Sequence, residues 1–450
     1  MNRRTAVSTA IVLVAVITAT VPMTSAGIPE LAAAFFAAWT LCLALLVTGA
    51  GGIYRPSAAY LILFGFFHGG LLLSIGLRGP DGFTAYDISW IYDGYTPEAV
   101  RFAILGMAAF TIVADRACGG GGTEPGAVPP PRVAEHSRLV IVSMSCLLAG
   151  MGIFVVAVAD AGGLRLLSGG YLSFVQASES TGTLGYGTLL IGLGAVFGVA
   201  AGGLARMVAW STFAVYATVA FLIGSRGAVL FPLLTLLVVE VRQRHRIRPL
   251  WTVAGTLGVL TLIGLVRQTR LTGFSQPWGS LLASPLDALA EMGYSLRPTA
   301  VVVGWHSAAE PFRDGTTLVA VPLRFIEKIT GWHGGPPDYD DRLFNSEIAE
   351  RVGPIGGSPI AEGYHNFGIA GVVLLMAAIG LVVGRVDRIP WTPCGNALAG
   401  AILLPLFVQV RNSFAPVPVQ LALGLLLLWL VRVESPRDTP HPARLGVGGA

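Results

Sequence analysis

Arginine stands at three places where an apolar run gives way to a polar turn: Gly224-Ser225-Arg226-Gly227, Arg267-Gln268-Thr269-Arg270 and Arg411-Asn412-Ser413. A guanidinium presents a planar fork of donors that fits two oxygens of a phosphate or pyrophosphate at once. Taken singly, each arginine reads equally well as a side chain reaching for lipid headgroups. Taken together they favour an anion-binding surface, because all three sites fall on the side of a membrane where basic residues are normally scarce. The glycines around Ser225 and Arg226 also read as the tight turn of a helical hairpin, and a hairpin is a rigid way to present both side chains.

The same side carries Glu291, His306, Glu310, Asp314, Glu347, Glu350, Glu362 and His365. A carboxylate or imidazole within reach of a hydroxyl can take its proton as that hydroxyl attacks. Most acids on a folded loop are simply solvated. Glu362 and His365 stand out because they lie where a long polar connection returns to an apolar run, and spacing does not choose between them. Asp338-Tyr339-Asp340 and the acids Asp81, Asp87 and Asp93 sit among glycines and prolines and read as turns, so no metal site is expected. Cys42, Cys118, Cys146 and Cys394 fall in apolar runs or on the predicted inner side without ligand spacing, so neither a disulfide nor zinc is expected.

The elements that must position these groups are set by composition. Hydrophobic residues make up 54% of the chain and charged residues 12%, against roughly 25% charged in a soluble domain. Mean hydropathy is +0.70. Glycine at 58 of 450 positions suits closely packed membrane helices. Lipid is therefore the solvent for most of the chain, and the predicted fold is all-α and polytopic. Charge-poor runs near 6–26, 29–49, 57–77, 98–115, 138–159, 184–204, 206–223, 228–241, 250–266, 366–384, 395–410 and 416–432 predict about 12 spans. The first run follows Arg3 and Arg4 and ends in small residues like a signal peptide, but it is long enough to span and is read as a retained helix.

Counting from a cytoplasmic amino terminus, the short inner loops hold Arg55; Arg116, Arg132 and Arg138; Arg206; Arg242 to Arg248; Arg385 and Arg388; and Arg432 and Arg437. That parity places both termini in the cytoplasm. The formal charge of +4 is spread through these loops, so no nucleic-acid partner is expected. The division is then an amino-terminal bundle over 1–266, an extracytoplasmic cap over 267–365, carboxy-terminal spans over 366–432 and a tail over 433–450. Residues 118–131 read as a flexible linker. Within the cap, Leu281-Leu296, Thr317-Thr330 and Asp341-Arg351 mix apolar and charged residues at helical spacing.

Asn345-Ser346-Glu347, followed by Gly353 through Gly371, carries a Glu-x-Tyr-x-Asn-Phe-Gly-x-x-Gly pattern from Glu362 onward, with Gly384-Arg385 at the end of the helix that follows. This stretch resembles the returning segment of the oligosaccharide repeat unit polymerases, the Wzy-type O-antigen polymerase family. Ser225-Arg226-Gly227 and Arg411-Asn412-Ser413 resemble family features as well, and the likeness covers about residues 220 to 415. The resemblance implies a membrane glycosyltransferase at the outer face of the cytoplasmic membrane. It would move a growing glycan from its polyprenyl pyrophosphate carrier to another carrier-linked repeat unit, with no cofactor and no metal. Arg226, Arg267, Arg270 and Arg411 would hold pyrophosphate or glycan beside Ser225, Glu362 or His365 would stand near the acceptor, and Asn366 would orient the segment. Its partners would be the polyprenyl-pyrophosphate-linked oligosaccharide, the lipid bilayer, and a flippase and chain-length regulator of the same pathway.

Two rivals share the membrane plan. A flippase for lipid-linked sugars would place ionisable residues or broken helices near the bilayer midplane, whereas the charges here gather at span ends. A glycan ligase would use the same donor and the same arginines, and the sequence separates it poorly. A non-catalytic scaffold leaves the outer arginines without a task.

Overall fold

A computed structural model describes residues 3–432 apart from 21–22, 24–25, 49–51, 82, 84–87, 120–132, 161–162, 164–183, 224, 245–254, 256, 259, 262–283 and 333–339. Among the described residues the secondary structure is helical throughout. The elements are α1 (Arg3–Thr20), α2 (Ile28–Val47), α3 (Pro56–Arg78), α4 (Thr96–Cys118), α5 (Val133–Asp160), α6 (Leu184–Ala201), α7 (Gly203–Leu222), α8 (Gly227–Arg244), α9 (Pro285–Met292), α10 (Arg297–Ser307), α11 (Thr316–Thr330), α12 (Phe344–Val352), α13 (Pro359–Val386), α14 (Pro393–Gln409) and α15 (Val417–Arg432). Proline in the first turn opens α2, α3, α4, α9, α10, α13 and α14, where its missing N–H costs nothing. Ser284, Ser358 and Thr392 cap the last three of those but α10 with their side-chain oxygens.

Seven of the described helices, α2 to α7 and α13, are long and apolar enough to cross a membrane, and α1, α14 and α15 are shorter apolar helices. This is a multi-pass membrane protein. The expected run at 250–266, the 118–131 linker and the 433–450 tail lie largely or wholly outside the described residues.

Small residues let the helices close on one another. Gly380 and Gly384, one turn apart on α13, face the backbone of α4, and a Cβ at either would stand 2.5 Å from the carbonyl oxygen of Phe110 or Ala114. This is the small-xxx-small contact of membrane helix pairs.

Two features bring residues of the 267–365 connection and its return against the bundle. The turn through α9 and the 3₁₀ segment Gly293–Leu296 lies against the backbone of α3, with Leu289 touching Gly70 and Gly293 touching Leu71. Gly70 sits about 12 Å along the helix from its carboxy-terminal end at Arg78, taking 1.5 Å per residue. The second feature is a break in α13 at Phe367 (φ −140°, ψ 22°) and Gly368 (φ 61°, ψ −146°). The helix that the sequence reading starts at 366 therefore begins seven residues earlier, as a half-helix over 359–366. The half-helix folds back along the rest of α13: a Cβ at Gly363 would lie 2.9 Å from the carbonyl oxygen of Gly371. Ile360 accordingly reaches Gly106 at the same level as Val372 and Met376.

Candidate functional site

The half-helix 359–366 carries three of the residues singled out in the sequence. Its first turn is anchored by Ser358, whose hydroxyl accepts the amide of Ile360 at 3.2 Å and lies 2.8 Å from His68 Nε2 on α3. The Phe64 carbonyl is 3.1 Å from His68 Nδ1, so that nitrogen donates, and the Ser358 hydroxyl donates to Nε2. Glu362 is fully buried. One carboxylate oxygen accepts the Thr317 hydroxyl at 3.0 Å and the other accepts the Phe414 amide at 2.6 Å. Asn366 Nδ2 donates to Thr317 Oγ1 at 2.7 Å and to the Glu362 carbonyl at 2.8 Å. Its Oδ1 is buried without a partner among the described residues.

Beside this hub runs a chain of imidazoles and charges. His306 Nδ1 lies 2.9 Å from the Glu310 carbonyl, His306 Nε2 lies 3.0 Å from His365 Nδ1, and His365 Nε2 lies 3.0 Å from Glu347 Oε2. The Glu310 carbonyl only accepts, so His306 Nδ1 donates to it; His365 Nε2 lies beside the Glu347 carboxylate and also 3.4 Å from Arg313 Nε, and filling all three imidazole contacts from the rings takes a third ring proton. Two neutral imidazoles carry only two. The constellation therefore has room for one more proton than a neutral pair carries.

Glu347 is the counter-charge. Burial alone would raise its carboxyl, but the hydrogen bonds from His365 and from Arg313, whose Nη2 stands 2.5 Å away, hold it at about 2. Arg351 reaches the same carboxylate at 3.3 Å, grips Glu310 with both Nη atoms at 2.5 and 2.9 Å, and lies 3.6 Å above the Trp305 ring. Burial pushes the His306 imidazole below its ordinary value, against the opposing effect of the Glu310 carbonyl.

Arg226 is held elsewhere, at the start of α8. It is buried, ion-paired through Nη1 to Glu291 of α9, and its Nη2 has no partner among the described residues. Ser225 is half-buried, its amide donating to the Ala220 carbonyl at 2.8 Å as the hairpin turns. The Arg226 pair and the Glu362 hub flank one stretch of α3: His68 holds Ser358, while Gly70 and Leu71 hold the turn that carries Glu291. The carbonyl of Arg411 accepts the Gly357 amide at 3.0 Å, and three residues on Phe414 reaches Glu362. Glu362, His365, Asn366 and the Arg411 loop are thereby brought together. Arg226 and Ser225 stand across α3 from them, and Arg267 and Arg270 lie outside the described residues.

Thr317, Arg313, Arg351 and His68 are the members that sequence reasoning missed. Arg313 and Arg351 sit in the same connection between spans as the acids they pair with and could have been found by asking what would balance Glu347 and Glu310. His68 lies in an apolar run and gave no such signal.

The family model described as O-antigen polysaccharide polymerase Wzy matches residues 164–433 of this chain. Protein CapE of Staphylococcus aureus is similar at 26% identity over 205 residues, a match that spans 43% of this chain and 43% of the length of that relative. No solved structure matches.

Proposed function

The chain belongs to the O-antigen polysaccharide polymerase Wzy family, and from that premise we propose that it polymerises polyprenyl-pyrophosphate-linked oligosaccharide repeat units at the outer face of the cytoplasmic membrane, with both termini in the cytoplasm. In this reading an acceptor sugar hydroxyl attacks the anomeric carbon of the donor glycan. The bond from that carbon to the pyrophosphate oxygen breaks and its electron pair leaves with the pyrophosphate. The hydroxyl proton passes to the His306–His365 pair, where it completes the hydrogen-bonded chain to Glu347.

Arg226 neutralises the charge that develops on the leaving group, with Ser225, Arg267, Arg270 and Arg411 as further contacts to pyrophosphate or glycan. The reading assigns that charge to guanidinium groups and uses no metal. Glu362 and Asn366 act by position: Glu362 has both oxygens engaged, so it locks the half-helix that presents His365. Within the proposed division, the 267–365 connection supplies His306 and Glu347, and the 1–266 bundle supplies Arg226.

The observation that carries the reading is the imidazole pair that stands on a buried carboxylate and has room for one proton more than its neutral form. Its test is the glycan size distribution made by purified membranes from a synthetic polyprenyl-pyrophosphate-linked repeat unit, at matched protein levels. Wild type is expected to make a ladder. His365→Ala is expected to slow lengthening by about 10²- to 10⁴-fold, the usual contribution of a general base, and Arg226→Ala and Arg411→Ala to leave single repeats. A wild type that moves the repeat across the bilayer without lengthening it, or delivers it to another acceptor, makes the protein a flippase or a ligase and sinks the proposal.

A further inference from the structure

The helix α11 is amphipathic with its faces reversed from what water would select. Thr317, Ala320 and Glu327 are buried against the protein. On that side Arg324 pairs with Asp340 at 2.8 Å, and Arg342 pairs with Glu327 at 2.7 Å and with Asp340 at 2.8 Å. The opposite stripe, Val319, Pro322, Phe325, Ile326 and Ile329, follows the three- and four-residue spacing of one helix face and is exposed. Phe325 and Ile329 are 65% and 68% exposed, and Trp332 just past the helix end is 55% exposed.

What covers this stripe is indicated by where it leads. The amino-terminal end of α11 abuts the break in α13: Gly315 meets the Phe367 ring and Gly368 meets the Phe312 ring, and both rings are exposed. From the break onward α13 runs about 27 Å at 1.5 Å per residue, close to the roughly 30 Å hydrocarbon thickness of a bilayer. Its own exposed residues, Ile369, Val373, Leu374, Leu381 and Val382, are the bilayer-facing surface of that span. The stripe on α11 thus starts beside the break from which the exposed apolar face of α13 also starts. Trp332 and Lys328 at its carboxy-terminal end are residue types that settle at the headgroup level.

We infer that α11 is an in-plane membrane helix whose Val319–Trp332 apolar stripe is immersed in the acyl chains of the outer leaflet, so that the bilayer itself holds Arg313 and Thr317 against Glu347 and Glu362. The partner is a lipid surface, and the assignment is independent of the transfer chemistry proposed above. Immersion also accounts for the reversed faces: lipid takes the apolar stripe, while the charges are satisfied by the 340–342 turn.

The test uses the full chain in nanodiscs. Cys394→Ser removes the half-buried thiol, and Phe325→Cys, Ile329→Cys or, as an aqueous control, the exposed Glu350→Cys is labelled with an environment-sensitive fluorophore. Lipids with a nitroxide high on the acyl chain should quench the labels at 325 and 329 severalfold more than the label at 350, and aqueous iodide should do the reverse. If iodide reaches 325 and 329 as freely as 350, the stripe faces water and the inference is wrong. It is equally wrong if neither quencher reaches them, since another protein surface, such as a second copy of the chain, then covers the stripe. Each substitution replaces an exposed side chain, and unchanged thermal unfolding of the labelled proteins confirms that the fold is the one being probed.

Discussion

Glu347 is the residue on which the charge of the site turns. Its folded carboxyl at about 2 lies below the ordinary value of about 4.3. The stability it contributes is therefore complete above that ordinary value and is lost only as pH falls through about 2. Between about pH 5 and 8 it stays ionised. His306 is depressed in the fold, so its protonation opposes folding, and stability rises with pH up to the ordinary imidazole value of about 6.5. Glycan transfer is accordingly expected to fall as the medium is acidified, because the pair then already carries its proton. Glu347→Gln should shift that fall to lower pH and lower the plateau, since the amide no longer offers the negative charge that favours a proton on His306. It should also cost about 2 kcal/mol of stability in thermal unfolding, because Arg313 and Arg351 are a third exposed and only the buried end of each pair is lost. An unchanged midpoint in the pH profile would remove Glu347 from the proton's path. His306 and Glu347 were legible in the sequence as members of a set of eight acids and histidines. Their pairing was not, because His306 and His365 are 59 residues apart and no local period links them.

At the scale of elements, the site depends on a helix that is broken and folded back. The glycines of the 353–371 stretch were legible as a turn leading into a span, and Ser358-Pro359 is an ordinary helix start. The half-helix itself was hidden because eight residues carry too little periodicity to separate a short helix from an ordered loop, and the strong apolar run begins only after it. Two glycines make the fold possible. Gly368 adopts φ 61° and ψ −146°, a region that other residues avoid, and Gly371 lies against the carbonyl of Gly363 with no room for a side chain. Gly371→Ala is expected to force the two pieces apart, destabilise the protein by about 1–3 kcal/mol, and reduce polymer formation beyond what the loss of folded protein explains. The reason is that Asn366 and Glu362 would move off Thr317. Circular dichroism should report unchanged helix content. A variant as active and as stable as wild type would show that the pieces need not touch.

At the scale of the whole molecule, the end of the bundle away from the site bears on how well the site is aligned. The two helices that carry the hub, α3 and α13, are joined at their ends away from it by a buried cluster. Asp387 accepts Arg55 Nη2 at 2.9 Å and Nε at 3.3 Å, and it also takes the Ser57 hydroxyl at 2.7 Å and the Ser57 amide at 3.2 Å. Arg55 gives its remaining reach to the Leu46 carbonyl at 2.7 Å, so α2 is tied in as well. In the sequence Arg55 is legible only as one of the inner-loop charges that set orientation. That it is 3% exposed and bonded to a residue 332 positions away is a property of the closed bundle. The two ends of α3 therefore act on one body: Ser57 fixes it to α13 at one end, and His68 fixes it to the returning half of α13 further along. Asp387→Ala leaves the Arg55 guanidinium buried without its counter-charge and is expected to cost about 3–5 kcal/mol. The double variant Arg55→Met with Asp387→Leu removes both charges and is expected to recover most of that loss, since paired burial contributes little net stability over an apolar replacement. Thermal unfolding of wild type, Arg55→Met, Asp387→Leu and the double variant in the same lipid gives the coupling directly. If Asp387→Ala alone melts like wild type, the cluster does not hold the bundle, and the alignment of the site must rest on the glycine contacts between α4 and α13.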